Sequence, residues 1–365
     1  MADKVTIADV ARYASVSRQT VSNVLNSPEV VREETRLRVL EAVKALGYRA
    51  NQAARQMRTG RSQLIAARIE PAQDDGINGF VFDRFLHGLT ESAARAGYRV
   101  LLYTADDHEA ELATFDDLLG SYEPDAFVLT STHYGDPRTD WLLEQRIPFV
   151  TFGRPWGLSP DRRFPWVDVD GAAGTAMATR YLLDLGHRRV GFLGWPSGSG
   201  VGDDRRDGWA RTLTAGGVSP AEIAELDCAT QDGVPYGEAA AHALLDTDHP
   251  VTALVCASDS LALGALQAGR DIPVIGFDDT PSARAVGLTS VSQPLPEVAA
   301  QCVSLLLRAL EGDGAGTRAR QAESQDVGGR TDEGDVERES TATATPEAQP
   351  AHVLLQPSLV RRRSA

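Results

Sequence analysis

Cysteine is scarce. Cys228, Cys256 and Cys302 are the only three in 365 residues, too few and too irregularly spaced for a disulfide framework or a cysteine-held zinc site. Long apolar runs are missing as well. No stretch of eighteen uncharged apolar residues occurs, which argues against a transmembrane helix. Asp3, Lys4, Asp9, Arg12 and Arg18 occupy the region where a signal peptide would need an apolar centre. Catalytic signatures are absent too: there is no GxSxG elbow, no HExxH and no GKS or GKT phosphate loop. The glycine-rich "GWPSGSGVGDD" does not fit GxGxxG in frame, and the seven histidines show no ligand spacing. These absences lead to the expectation of a cytoplasmic protein with no catalytic residues, no metal and no cofactor, and no membrane partner.

What is present is unevenly charged. Residues 1–61 carry eleven Lys/Arg against six Asp/Glu, a net +5, while the remaining chain carries 25 against 45, a net −20. A small basic unit on a large acidic body suggests a nucleic-acid-binding head. At 365 residues, two or three domains are expected.

"TIADVARYASVSRQTVSNVLN" divides into two short helices and a tight turn. Thr6 with Asp9 three residues on makes a capping-box start, and Ile7, Val10, Ala11 and Ala14 share a face. Ser15-Val16 forms the turn, Ser17 caps the second helix to about Asn26, and Val21, Val24 and Leu25 pack inward. Arg18, Gln19, Ser22 and Asn23 remain on the outer face. A third helix is predicted over Glu33–Leu46, with Leu37, Leu40, Val43 and Leu46 inward and Gly47 as its stop. Two helices so joined fit the helix-turn-helix, whose second helix enters the major groove. Arginine pairs there with guanine, and Gln or Asn with adenine. The alternative on spacing alone is a solvated helix face in a small bundle.

The stretches "TIADVARYASVSRQTVSNVLN", "VREETRLRVLEAVKALGY" and "NQAARQMRTGR" closely resemble the headpiece of the lactose-repressor (LacI/GalR) family of bacterial transcription regulators. The resemblance places base reading on Arg18, Gln19 and Asn23. Many members carry arginine or histidine where Asn23 stands, so the half-site read here can differ. It implies a hinge helix in 48–61 that folds on operator DNA and inserts Met57, where leucine is usual, as a minor-groove wedge. Backbone contacts are expected from Thr6, Ser17, Ser22, Asn51, Arg55 and Arg58. The proline usual before the hinge asparagine is Ala50 here.

Beyond Leu64 the pattern alternates. "LIAARIE", "YRVLLYT", "DAFVLTS", "IPFVTFG", "HRRVGFLGW", "TALVCAS" and "IPVIGFDD" read as buried parallel strands, with helices between them. That alternation predicts doubly wound parallel sheets in two lobes about a cleft; a single large sheet is the competing reading. "LGHRRVGFLG", "RRDGW", "ASDSLALGAL", "VIGFDD", "TSVSQP" and "LLQPSLVRRRS" resemble the same family's core, itself similar to periplasmic sugar-binding proteins. The full expectation is an all-α helix-turn-helix headpiece joined by a hinge helix to an α/β two-lobed periplasmic-binding-protein-like core. Its parts would be a headpiece over 1–47, a hinge over 48–61, a first lobe over 62–165 plus 293–311 and a second over 166–292 plus 351–362. Residues 312–350 have only Val327 and Val336 as larger aliphatics and read as a disordered insertion.

Carried over residue by residue, the resemblance assigns effector contacts to Arg205 and Asp278, whose opposite charges suit vicinal hydroxyls. Ser258, Arg154, Thr130 and Glu70 are further candidates. Gly153 stands where some sugar-binding members have aspartate. Trp195, Trp209, Phe80 and Phe82 are candidates for stacking on a sugar face. The implied protein is a homodimeric repressor on double-stranded, pseudo-palindromic operator DNA, controlled by a small-molecule effector, a sugar. A sugar phosphate or nucleobase, or no effector, are the alternatives. It would be associated with the bacterial nucleoid when bound to DNA.

Overall fold

A computed structural model describes residues 5–48, 56, 60–69, 79–157, 164–326 and 352–365. The chain divides at Gln63/Leu64 into two compact units.

Among its described residues the small unit has three helices, α1 (Ile7–Tyr13), α2 (Arg18–Asn26) and α3 (Glu33–Leu46), with a 3-10 turn at Pro28–Val30. Each start is set locally. Asp9 accepts from the Thr6 backbone N–H at 3.0 Å and from its hydroxyl at 2.7 Å, and the Ser17 hydroxyl accepts from Thr20 N–H at 3.0 Å. Val10, Ala11, Ala14, Val21, Val24, Val39 and Ala42 form the buried core. Here α3 departs from expectation. Leu37 and Leu40 are 57% and 44% exposed, while Val39 and Ala42 are fully buried. The helix carries two apolar stripes, and the one containing Val39, Ala42, Val43 and Leu46 faces α1 and α2.

The large unit contains two six-stranded sheets rather than one. The first runs in the order β11-β5-β4-β3-β1-β2 and is parallel throughout. Its strands are β1 (Leu64–Arg68), β2 (Arg99–Tyr103), β3 (Ala126–Leu129), β4 (Phe149–Phe152), β5 (Trp166–Val169) and β11 (His352–Leu355). The second runs β12-β10-β9-β8-β6-β7, with only β12 antiparallel. It holds β6 (Val190–Gly194), β7 (Asp227–Ala229), β8 (Ala253–Cys256), β9 (Val274–Phe277), β10 (Thr289–Ser292) and β12 (Ser358–Val360). Around them pack α4 (Gly79–Arg95), α5 (His108–Ser121), α6 (Pro137–Glu144), α7 (Gly171–Asp184), α8 (Gly200–Ala215), α9 (Pro220–Leu226), α10 (Val234–Leu245), α11 (Asp259–Gln267), α12 (Pro281–Val286) and α13 (Leu295–Asp326).

Two boundaries need correction. Trp166–Val169 and the start of the 351–362 segment, assigned above to the second lobe, hydrogen-bond into the first sheet, Thr151 opposite Trp166 and His352 opposite Trp166. Among the described residues the chain passes between lobes three times: after Val169, after Ser292, and between Leu355 and Ser358. After the second crossing α13 returns to the first lobe, where Val298, Ala299, Cys302 and Leu306 pack against Phe85 and Leu89 of α4. The same helix continues through Asp326, so the first part of the 312–350 segment is helical rather than a departure from structure. Its Arg318–Glu323 stretch is made mostly of good helix formers, which extend a helix already nucleated. Residues 327–350 lie outside the described residues. Among the described residues no helix is long and apolar enough to cross a membrane.

Candidate functional site

On the small unit, Arg18 and Gln19 are exposed at the start of α2, and Ser22 and Asn23 are half-buried beside them. Gln19 Nε2 donates to Asn23 Oδ1 at 2.9 Å, which orders two of the three expected base readers as a pair. Asn26 Nδ2 donates to the Ser22 carbonyl at 2.7 Å. Thr6 and Ser17 are both engaged as helix starts. Asn51, Arg55, Met57 and Arg58, expected on DNA, lie outside the described residues, as does Glu70 of the core.

The core holds a cleft of about 1000 Å³ between its lobes, at the carboxyl ends of the strands. Arg205, Asp278, Arg154 and Thr130 line it. Arg205 projects from α8 and is 5% exposed. Its guanidinium donates to the Ala257 carbonyl, lies 3.7 Å above the Phe277 ring centroid and sits 3.5 Å from Asp278 Oδ1. Asp278 follows β9 with φ 104°, and Asp279 follows with φ 50°, consecutive non-glycine residues in backbone space that costs of order 1–3 kcal/mol each. Burial raises the Asp278 carboxyl above the usual carboxylate range, and Arg205 and Gln293, whose Nε2 donates at 2.7 Å, pull it back.

Arg154 follows β4 in the first lobe. It donates through Nε to Asp168 Oδ2 at 2.7 Å and through a terminal nitrogen to Asp204 Oδ2 at 2.6 Å on α8 of the second lobe. The bridge to Asp204 ties the two lobes across the cleft, and Asp204 also accepts from Ala172 N–H at 2.9 Å. Burial raises the Asp168 carboxyl, an effect its contact with Arg154 opposes. Gly153 has φ 126°, and a Cβ there would stand 2.2 Å from the Thr132 hydroxyl, so the aspartate that some members carry does not fit this backbone. The far wall of the first lobe presents His108 and His133, rings 4.3 Å apart. Burial, then Arg138, hold the His108 imidazole below its ordinary pKa.

Three expected contacts fall elsewhere. Ser258 does not line the cleft: its hydroxyl caps α11 by accepting from Leu261 N–H at 3.2 Å and donates to Asp232, which does line it. Trp209 is fully buried in the second lobe, stacked 5.3 Å from Phe192 with its Nε1 donating to the Val190 carbonyl. Trp195 and Phe82 are in the cleft wall; Phe80 is not, and sits beneath Arg84 instead. Sequence reasoning passed over Asp168, Asp204, Gln293 and the histidine pair. Trp156 and Trp195 hold buried indole N–H groups, and Arg205 a buried Nε, that no group of the described residues accepts from.

A helix-turn-helix unit carried on the same chain as a two-sheet core with a polar, aromatic cleft defines a DNA-binding regulator with a ligand-binding body. Comparison with known proteins bears this out. Residues 6–51 match the model of bacterial regulatory proteins of the lacI family, and 179–328 that of a periplasmic binding protein-like domain. The chain is 33% identical over 317 residues to the HTH-type transcriptional regulator AglR of Rhizobium meliloti, covering 83% of this chain and 87% of that protein. It is 30% identical over 328 residues to the HTH-type transcriptional repressor CytR of Escherichia coli, covering 86% and 92%. Among solved structures, a LacI-family regulatory protein from Chloroflexus aggregans superposes with TM-score 0.65 at 32% identity, covering 83% of this chain and 98% of that one. A CelR–cellobiose complex gives 0.66 at 26%, covering 99% and 100%. The fold alone is shared with the lac repressor dimer bound to operator and the anti-inducer ONPF, at TM-score 0.75 and 23% identity over 99% of each chain. The chain belongs to the lacI family of bacterial transcription regulators.

Proposed function

We propose that the protein is a homodimeric repressor whose two headpieces (residues 1–47) read a pseudo-palindromic operator. Arg18, Gln19 and Asn23 read base edges, and Thr6, Ser17 and Ser22 touch the backbone. In the hinge over 48–61, Met57 opens the minor groove while Asn51, Arg55 and Arg58 hold phosphates. The inter-lobe cleft takes a neutral sugar, and the ligand changes the balance between lobe arrangements.

One observation carries the sugar reading. Both cleft arginines already face aspartates, Arg154 between Asp168 and Asp204 and Arg205 beside Asp278. A phosphate ester would have to displace a carboxylate from one of them, whereas hydroxyls accept from the arginines and donate to the same carboxylates. The aromatic walls, with Trp156 and Trp195 among them, suit a polyhydroxylated ring. The CelR–cellobiose complex covers 99% of this chain at 26% identity and adds support for a sugar as ligand.

The test is a thermal-shift screen of the full chain against mono- and disaccharides, sugar phosphates and purines, with Arg205→Ala as control. A ligand at about a hundred times its Kd stabilises the native state by about 2.7 kcal/mol. The expected hit is a neutral sugar whose shift vanishes in the variant while far-ultraviolet dichroism is unchanged. A shift confined to phosphorylated sugars would refute the reading.

A further inference from the structure

The end of the chain, "LLQPSLVRRRS", plays no part in the function proposed above. It nonetheless holds Asp279, the residue next to cleft-lining Asp278. Asp278 and Asp279 are buried and both hold positive φ, so the surrounding structure must impose this turn. Asp278 N–H donates to the Val291 carbonyl at 2.8 Å, and Asp279 N–H to the Ser290 hydroxyl at 3.0 Å. The Asp279 carboxylate is gripped on both oxygens, by half-exposed Arg284 at 2.7 Å and by mostly buried Arg362 at 2.5 Å.

Arg362 is itself fixed. Its backbone N–H donates to the Thr289 hydroxyl at 2.8 Å and its guanidinium to the Leu288 carbonyl at 2.7 Å. Beyond it, the Ser364 hydroxyl donates to the Val274 carbonyl at 2.6 Å, and β12 pairs with β10, Leu359 opposite Val291. The tail thus brackets β9 and β10, the two strands that present Asp278 and Gln293. We infer that Arg362 is a positioning residue of the ligand site: by holding Asp279 it fixes the turn and so aims the Asp278 carboxylate at the cleft. This rests on the reading of the cleft as the effector site. Its neighbour Arg363 supplies the control, since it donates to the Val286 carbonyl and makes no contact with Asp279.

The experiment compares the full chain with Arg362→Met, Arg362→Lys and Arg363→Met. Hydrogen–deuterium exchange is read on the peptide spanning 274–281. In Arg362→Met the amides of Asp278 and Asp279 exchange about ten-fold faster, Arg362→Lys restores part of the protection, and Arg363→Met changes neither. Equal exchange in all four proteins overturns the inference. So does faster exchange across both strands in Arg362→Met and Arg363→Met alike, which would make the tail structural glue. A second arm titrates cellobiose and maltose by calorimetry. If either binds the parent chain, Kd rises about ten-fold in Arg362→Met alone, and an unchanged Kd overturns the positioning role. If neither binds, the sugar reading is weakened while the exchange arm still decides the inference.

Discussion

Replacing Asp204 by asparagine isolates the contact that joins the lobes. The variant keeps an oxygen to accept from Ala172 N–H but removes the charge that meets Arg154 at 2.6 Å. A hydrogen bond to a charged group contributes about 1.5–3 kcal/mol net. Arg154 is about a fifth exposed and retains Asp168, so screening and the surviving partner reduce the loss to about 1–2 kcal/mol. That shifts the ratio of bridged to separated lobes roughly five- to thirty-fold. Single-molecule energy transfer between dyes at Glu109→Cys and Asp248→Cys, with Cys228→Ser, reads the ratio directly. Both labelled positions are exposed, one on each lobe, and Cys256 and Cys302 are buried. Arg154→Met, alone and with Asp204→Asn, closes a double-mutant cycle. A coupling energy below about 0.3 kcal/mol would show the bridge to be incidental to lobe arrangement.

Other outcomes follow from particular contacts. A Cβ at Gly208 would lie 2.1 Å from the Ala172 carbonyl oxygen, where α8 crosses α7, so Gly208→Ala should destabilise the core by about 3 kcal/mol in urea denaturation. Unaltered stability would mean the crossing yields easily. Burial, then the Asp278 charge, push the Asp259 carboxyl up to about 7 from 3.8. The native state therefore holds a proton the unfolded chain releases, and stability falls as pH rises through about 4 to 7, then levels. Asp259→Asn should flatten that slope; an identical pH profile would place the proton elsewhere. Arg18→Ala should cost about 1–3 kcal/mol on an operator obtained by in vitro selection and far less on random duplex. Equal losses on both, by gel shift, would make Arg18 a phosphate contact.

Much of this was legible in the sequence because its causes are local. The Thr6–Asp9 capping box, the Ser17 cap and the seven apolar runs all became the expected starts and strands. Elsewhere the determinant lies far off along the chain. Periodicity placed Leu37 and Leu40 of α3 inward, whereas packing buries Val39 and Ala42 instead. Trp166–Val169 was missed because it is four residues long with an aspartate inside. That aspartate pairs with Arg154, 14 residues away, while Asp204 reaches the same arginine from 50 residues away. Ser258 illustrates the opposite error. A serine opening a helix is adequately explained as a cap, and assigning it to the ligand overlooked that local role.

The crossing between Leu355 and Ser358 has a genetic consequence. Fourteen residues, 352–365, supply an edge strand to each sheet, β11 to one and β12 to the other. A nonsense or frameshift mutation in codons 327–351 therefore strips both lobes of an edge strand at once. Length changes in the preceding segment that keep the reading frame spare both strands. Selection against a broken reading frame should accordingly extend through the codons of both strands, to Val360.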